Sequence, residues 1–333
     1  MGFHDIVSNE VLHDLLKTHY ALEESVVAVK KETKEDGRAL GILQCTTKRL
    51  GNRFETGLLW KNDEVSFPDS YPMAVKRLKQ LEQKLERNPA ISENVHKQIV
   101  EYQQKGYAHL ATPGELSGTD PCKAWYLPLN VALNPRKPGK IRLVWDAAAK
   151  VEGMSLNSQL LEGPDMLTPL VSVIIGFRER RIAFGADIRE MYHQLRIIEA
   201  DKQAQRFLFR ANKTDPPSVY VMDVATFGST CSPCSAQYVK NLNATEHADK
   251  YPEAAAAIIN QHYLTTISTA LRPLKKRFVE RKKCGSSTHR EGSSSEIGSR
   301  IRLKFFGIWE RRKLLTRSTS AGTRKPATSE FWV

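Results

Sequence analysis

The sequence predicts an α+β fold, and three observations predict it. Two consecutive segments, Tyr71 to Arg87 and Ile91 to Gly106, repeat apolar residues at helical spacing. Trp125 to Asn134 and Lys140 to Trp145 read as strands joined across the turn-forming text PRKPG. Helical and strand-like segments then continue in mixed order to Ala270, where the composition shifts to Ser, Gly, Arg and Lys with no sustained period.

Taken in order, residues 1–52 are polar, with one helical segment, Val11 to Glu24, whose Leu12, Leu15, Leu16, His19 and Leu22 form an apolar stripe. Phe54 to Lys61 (FETGLLWK) has strand character. The helix over Tyr71 to Arg87 carries Val75, Leu78, Leu81 and Leu85 on one face, and the next one is predicted to be capped by Ser92. Residues 111–122, rich in Gly, Pro, Ser and Thr, read as a loop. Leu167 to Arg178 is predicted as a buried helix, Arg181 to Asp187 as a strand and Ala200 to Arg206 as a helical turn. Phe207 to Arg210 and Val219 to Val224 are predicted to pair as strands, and Ser232 to Lys250 and Ala254 to Gln261 to form helices. The expected division is a linker and helical segment at 1–52, regions at 53–154 and 155–263, and a disordered basic tail at 264–333.

A hydrophobic content of 41% is enough for a substantial core. The formal net charge of +13 points to an anionic partner until its distribution is considered. Residues 271–333 hold 17 Lys and Arg against 5 Asp and Glu, whereas residues 1–270 hold 33 against 32. The positive charge therefore belongs to the tail. Five cysteines, an odd number, show no disulfide framework and fit a reducing compartment. Met1 to Tyr20 has no apolar signal core, and the longest apolar stretch, Val171 to Phe177, is too short to span a bilayer. An intracellular, cytoplasmic chain that does not enter the membrane is the expectation; its oligomeric state is not encoded in any pattern here.

Three segments carry possible chemistry. In FGADIREMYHQLRI, Asp187 ends a predicted buried strand, where a carboxylate can ligate a metal ion or simply cap a turn. In FGSTCSP, Gly228 allows close approach of backbone to a ligand, and the Ser-Pro step that follows suits the start of a helix. In PGKIRLVWD, Lys140 and Arg142 are two apart on a strand and share a face, which suits either an anion or plain solvent. The CxxC formed by Cys231 and Cys234 lacks a second Cys/His pair at zinc spacing and lies inside the FGSTCSP loop text.

In combination these segments resemble the reverse transcriptases of BEL/Pao-type LTR retrotransposons. FETGLLWK, WYLPLNVALNPRKPGKIRLVWDAAAK, SLNSQLLEGPDMLTPL, ADIREMYHQLRI, RFLFR and FGSTCSP follow that family's order over about residues 10–263. The resemblance implies a right-hand polymerase, with fingers at 53–154 and part of a palm at 155–263, lacking thumb, connection, RNase H, integrase and protease. It implies Asp187 as the first metal-binding aspartate, with Ile188 as its carbonyl neighbour. Tyr192 would be the gate against a 2′-hydroxyl, and Gly228 would lie beneath nucleotide and template. Arg142 would pack on the incoming nucleotide, and Lys140 would contact its phosphates. His193 and Gln194 would be structural. The implied cofactor is Mg²⁺, and the implied partners are an RNA or DNA template-primer and a dNTP.

The resemblance breaks after Tyr263. The text YLTTISTA stands where such enzymes have YxDD, so Tyr263 is the remnant of the motif and Thr265 and Thr266 replace its aspartates. Restoring one lost base after Tyr263 converts codons for Leu, Thr, Thr and Ile into an open text, YVDDYLDS. In the same frame Leu274 to Lys283 becomes compatible with the amphipathic text SLEEAVRRAQ. Glu291 to Gly298 becomes GGFELGNW or GGFELRNW, similar to a segment that follows YVDD in the family. A frameshift thus explains the basic tail, whether it lies in the gene or in its transcription into a sequence. The palm sheet is expected to lack the strand pair that carries YVDD, and the chain is expected to be catalytically dead. The other expectation, a domesticated non-catalytic nucleic-acid-binding protein, requires a structured tail.

Overall fold

A computed structural model describes residues 33–133, 139–179, 182–263, 266–271, 302–310 and 330–332. The predicted helix Val11 to Glu24 and the turn text at 134–138 lie outside the described residues.

The chain enters through α1 (Lys34–Thr46), which sequence patterning missed. Thr33 and Asp36 close a reciprocal capping box on its first turn, and Ala39 and Leu43 are buried. Next come β1 (Lys48–Leu50) and β2 (Arg53–Thr56). The rest of the FETGLLWK segment is not strand. Half-buried Asp201 holds it instead, accepting from Leu58 N at 2.7 Å and Trp60 Nε1 at 2.9 Å.

The two predicted amphipathic helices are present as α2 (Tyr71–Glu86) and α3 (Pro89–Gln104). α2 buries Ala74, Leu78, Leu81 and Leu85, with Val75 packed at the edge of this face. Pro89 opens α3 because its missing N–H and fixed φ suit a first helical position. The helix therefore starts at Pro89 after Asn88, and the expected Ser92 cap is not used. Gly106, at φ +64°, turns the chain out of α3.

β3 (Ala108–Leu110) follows, and the expected loop 111–122 contains α4 (Pro113–Gly118), closed by a Thr112–Glu115 capping box. The predicted hairpin forms as β4 (Leu129–Leu133) and β5 (Ile141–Trp145), with Leu129 paired to Trp145 and Leu133 to Ile141. A single turn, α5 (Leu156–Gln159), precedes α6 (Leu170–Arg178). α6 was expected to be buried, but only Val173 is, because one side of this short helix packs on the sheet and nothing among the described residues covers the other.

β6 (Ile182–Ile188), β7 (Leu195–Ile197), α7 (Glu199–Lys202), β8 (Arg206–Phe209) and β9 (Ser218–Met222) follow. Then come α8 (Ser232–Glu246) and α9 (Pro252–Asn260). The last strands are β10 (His262–Tyr263), β11 (Thr266–Leu271), β12 (Arg302–Glu310) and β13 (Glu330–Trp332).

The largest sheet among the described residues runs β10-β11-β6-β12-β13. Its pairings are antiparallel, with Asp187 in register with Thr266 on one side and Lys304 on the other. One expectation is corrected here. A strand pair follows α9, because strand pairing uses backbone N–H and C=O groups rather than particular side chains. Within the region 264–333, the described residues 266–271, 302–310 and 330–332 are strands, where β-branched and aromatic residues recur; the rest of that region lies outside the described residues. Smaller sheets are β1-β2-β7, β3-β9-β8 and β4-β5.

One core cluster joins α1, the two long helices, the β4–β5 hairpin, β7, β8 and the start of α8, through Leu43, Leu85, Ile99, Trp145, Ile197, Phe207 and Cys234. Within it His193 is boxed by aromatic rings, with centroids 5.0 Å from Tyr102, 5.1 Å from Tyr107, 5.2 Å from Phe227 and 6.4 Å from Trp145. Burial there pushes the imidazole pKa down to about 4, so the ring is neutral at pH 7. The unfolded chain takes up this proton near pH 6.5 and the folded chain only near 4. Stability is therefore present in full above pH 6.5 and falls as the pH drops towards 4, by up to about 3 kcal/mol. Urea titrations at pH 7.5 and 4.5 are expected to show this loss. His193→Phe is expected to remove most of the difference.

Candidate functional site

Three of the residues singled out from sequence meet through one that was not. Tyr192 lies on the 3-10 turn Met191–Gln194, directly after β6. Its ring centroid is 4.8 Å from that of Phe227, and the Arg142 guanidinium of β5 stands 5.3 Å over the other partner in that contact, the Phe227 ring. Phe227 precedes Gly228. A cation, a phenyl ring and a phenol thus form one continuous wall. Lys140, just before β5, is exposed and makes no ion pair or hydrogen bond among the described residues.

The loop after Phe227 is held from two sides. Trp145 N donates to Phe227 O at 3.0 Å. Asn157 reads the loop twice: its Nδ2 donates to Gly228 O and its Oδ1 accepts from Thr230 N, both at 2.9 Å. Gly228 sits at φ +115°, and a Cβ there would overlap the Trp145 carbonyl oxygen. This is a position where only glycine fits, both for its dihedral and for the close backbone approach.

The turn that presents Tyr192 is set by Glu190, a non-glycine residue at φ +52°. Its carboxylate accepts from Lys105 Nζ at 2.7 Å and Tyr107 Oη at 2.8 Å. Burial acts to raise the Glu190 pKa, but these two hydrogen bonds and the Lys105 charge outweigh it and leave it lowered. An ionised clamp therefore holds the left-handed backbone.

Asp187 is the penultimate residue of β6, three residues before Glu190, and Ile188, the last, is buried against Ala186, Met191 and Ala236. Asp187 Oδ1 is buried and has no hydrogen-bond partner among the described residues. Such an oxygen is a ready ligand atom. Yet no cluster of three or more His, Cys, Asp or Glu side chains suited to a metal occurs among the described residues. One carboxylate, in register with Thr266 on the neighbouring strand, does not fit a pair of Mg²⁺ ions, which take charged or carbonyl oxygens at near-octahedral geometry.

Tyr263 is half-buried in β10 and pairs with Thr266 of β11. Beneath it His262 is buried, with Nδ1 3.5 Å from Lys240 Nζ, which also donates to Ile258 O at 3.1 Å. Burial pushes the Lys240 amine down to about 8. Cys231 and Cys234 are buried thiols, the latter pushed up to about 12 by burial, which removes the thiolate a redox or metal role needs.

Behind Tyr192 opens a cleft of ≈ 970 Å³. Asn157, Thr230 and Gln237 line it with Tyr192, but its charged rim is Glu35, Asp36, Glu162 and Asp165 against Lys61. No family model and no curated protein matches the chain.

Sequence reasoning missed Phe227, Asn157 and Glu190. Phe227 and Asn157 stand in quoted motif text, FGSTCSP and SLNSQLL, where they carried no assigned role. Glu190 had no local signal, because its partners lie 83 and 85 residues away.

Gly228→Ala is expected to cost about 2–4 kcal/mol in urea unfolding, through strain and overlap. Asn157→Ala is expected to cost about 1–3 kcal/mol, since it strips two backbone groups of their partner.

Proposed function

We propose that this chain is a reverse-transcriptase fragment of BEL/Pao type that has kept the frame of a nucleotidyl-transfer site and lost its metal-binding chemistry. The observation that carries this is the register at β6: Asp187 stands opposite Thr266, and Thr266 in turn pairs with Tyr263. A polymerase has its carboxylate pair in the segment that joins those two paired strands. Strand order β10-β11-β6-β12, with β6 flanked on both sides, supports the same reading. So do the Arg142–Phe227–Tyr192 wall and the glycine-only loop beside it.

Threonine hydroxyls are neutral and do not replace carboxylates on a hard dication. What remains is binding. Arg142 and Lys140 present cationic groups toward solvent near the wall, whereas the acidic rim of the cleft repels a phosphodiester backbone. Any affinity for template-primer therefore resides on the β5 side of Tyr192.

A second reading, a non-catalytic nucleic-acid-binding protein, gains support from β12, which pairs with β6 from Ile182 to Ile188 and so gives the tail a place in the sheet. Both readings share the inactive site and differ in whether the tail matters.

The purified chain is expected to give no Mg²⁺-dependent primer extension above background; extension would overturn the proposal. Mn²⁺ titration followed by electron paramagnetic resonance is expected to show no tight site in the wild-type chain and a new one in Thr265→Asp/Thr266→Asp. Failure of the double variant to gain that site would mean that Asp187 and the hairpin do not converge. In a salt titration, preference for primed duplex over mock polyanion is expected to weaken in Arg142→Ala, with a salt slope shallower by about 1. Removing residues 272–333 lowers that affinity only under the second reading.

A further inference from the structure

α6 carries an apolar face that no element among the described residues covers. Leu170, Val171, Ile174 and Ile175 are 47%, 68%, 41% and 64% exposed, and they recur at i, i+1, i+4 and i+5 along one side of the helix. The opposite side packs on β6, β10 and β11, with Val173 buried. Single exposed apolar residues are ordinary, but four contiguous ones on a nine-residue helix form a stripe suited to a partner helix.

The chain itself supplies a matching surface close by. Val11 to Glu24 reads as a helix with Leu12, Leu15, Leu16, His19 and Leu22 on one face. A helix of that length is marginal in water unless its apolar face is covered. The point at which the described chain begins fixes where this segment can reach. Thr33, the cap of α1, lines the same cleft as Asp165, Met166 and Leu167, the residues that lead into α6. Glu24 is nine residues from Thr33. Extended, that stretch spans about 30 Å, more than twice the roughly 13 Å length of α6.

We infer that Val11 to Glu24 docks as an amphipathic helix on the outer face of α6, with Leu12, Leu15, Leu16 and Leu22 against Leu170, Val171, Ile174 and Ile175. The docked segment makes α6 the buried helix that its composition demands. It also ties the entry of the chain to the helix that backs β6 and β11, so the N-terminal segment becomes part of the support of the candidate site. This inference does not depend on the polymerase reading.

Hydrogen exchange on the full chain tests it. Amides in residues 11–24 are expected to exchange at least tenfold more slowly than an unstructured peptide of the same sequence. In Val171→Glu/Ile175→Glu that protection is expected to vanish, while protection in α3 and α8 stays unchanged. Both substituted positions are well exposed, so the variant is expected to fold, and unchanged α3 and α8 protection reports that it has. The reciprocal variant Leu15→Glu/Leu16→Glu is expected to raise exchange in α6. As a second readout, Leu15→Cys/Ile175→Cys in a Cys45→Ser/Cys122→Ser background is expected to form an intramolecular disulfide. Unprotected residues 11–24 in the wild-type chain, or protection indifferent to the α6 substitutions, would overturn the inference. So would a dimer by light scattering that Val171→Glu/Ile175→Glu turns to monomer without affecting exchange in 11–24, since a second copy would then be the occupant.

Discussion

The carbonyl of Trp145 is the constraint around which this fold is arranged. Its ring stacks on Tyr102 of α3, meets Phe207 of β8 edge-on and closes the box around His193. Its N–H holds Phe227, and its C=O lies so close to Gly228 that no side chain fits between them. A helix, two strands, a 3-10 turn and a glycine loop therefore converge on one residue. Interiors packed this closely do not deform gradually. The position of Phe227, and through it of Tyr192 and Arg142, is fixed by packing far below the surface they present.

A second, electrostatic layer works at longer range. Glu190 holds a left-handed backbone only because Lys105 and Tyr107 reach it from the far end of α3 and the start of β3. Nearby, Asp223 is shared between His109 and Lys202, and Glu115 takes the other ring nitrogen of His109. Burial acts to lower the His109 pKa, but hydrogen bonds to Asp223 and Glu115 outweigh it and leave it raised. These groups are partly buried and mutually paired, so their worth lies less in net stability than in choosing one geometry for the turns they join.

The sequence made the periodic elements legible and the singular contacts not. α2 followed from leucines at helical spacing, α3 from the spacing of Ile91, Val95 and Ile99, and the β4–β5 hairpin from alternation around a proline-glycine turn. α1 was missed because it buries only Ala39 and Leu43, too few to mark a periodic stripe, and its other signal, a Thr-Lys-Glu-Asp capping box, is only four residues long. α6 was misread as buried because composition reports what a helix prefers, not whether a partner is present. Of the candidate site, Asp187, Arg142, Tyr192 and Gly228 were legible as motif text. Their convergence on Phe227 was not, since rings 35 residues apart in sequence leave no local trace of meeting. β12 was not legible for a related reason: strand pairing tolerates many residue types, so a strand can form without a period in the sequence.

The strand pair at 262–271 separates two properties usually seen together. A sheet is assembled from amide and carbonyl groups that every residue carries, whereas the capacity to bind a dication depends on two or three particular side chains. A change that swaps carboxylates for hydroxyls leaves the first untouched and abolishes the second. Among proteins of this shape, outline alone is a weak witness to turnover, and a count of acidic oxygens at a single bend is a strong one.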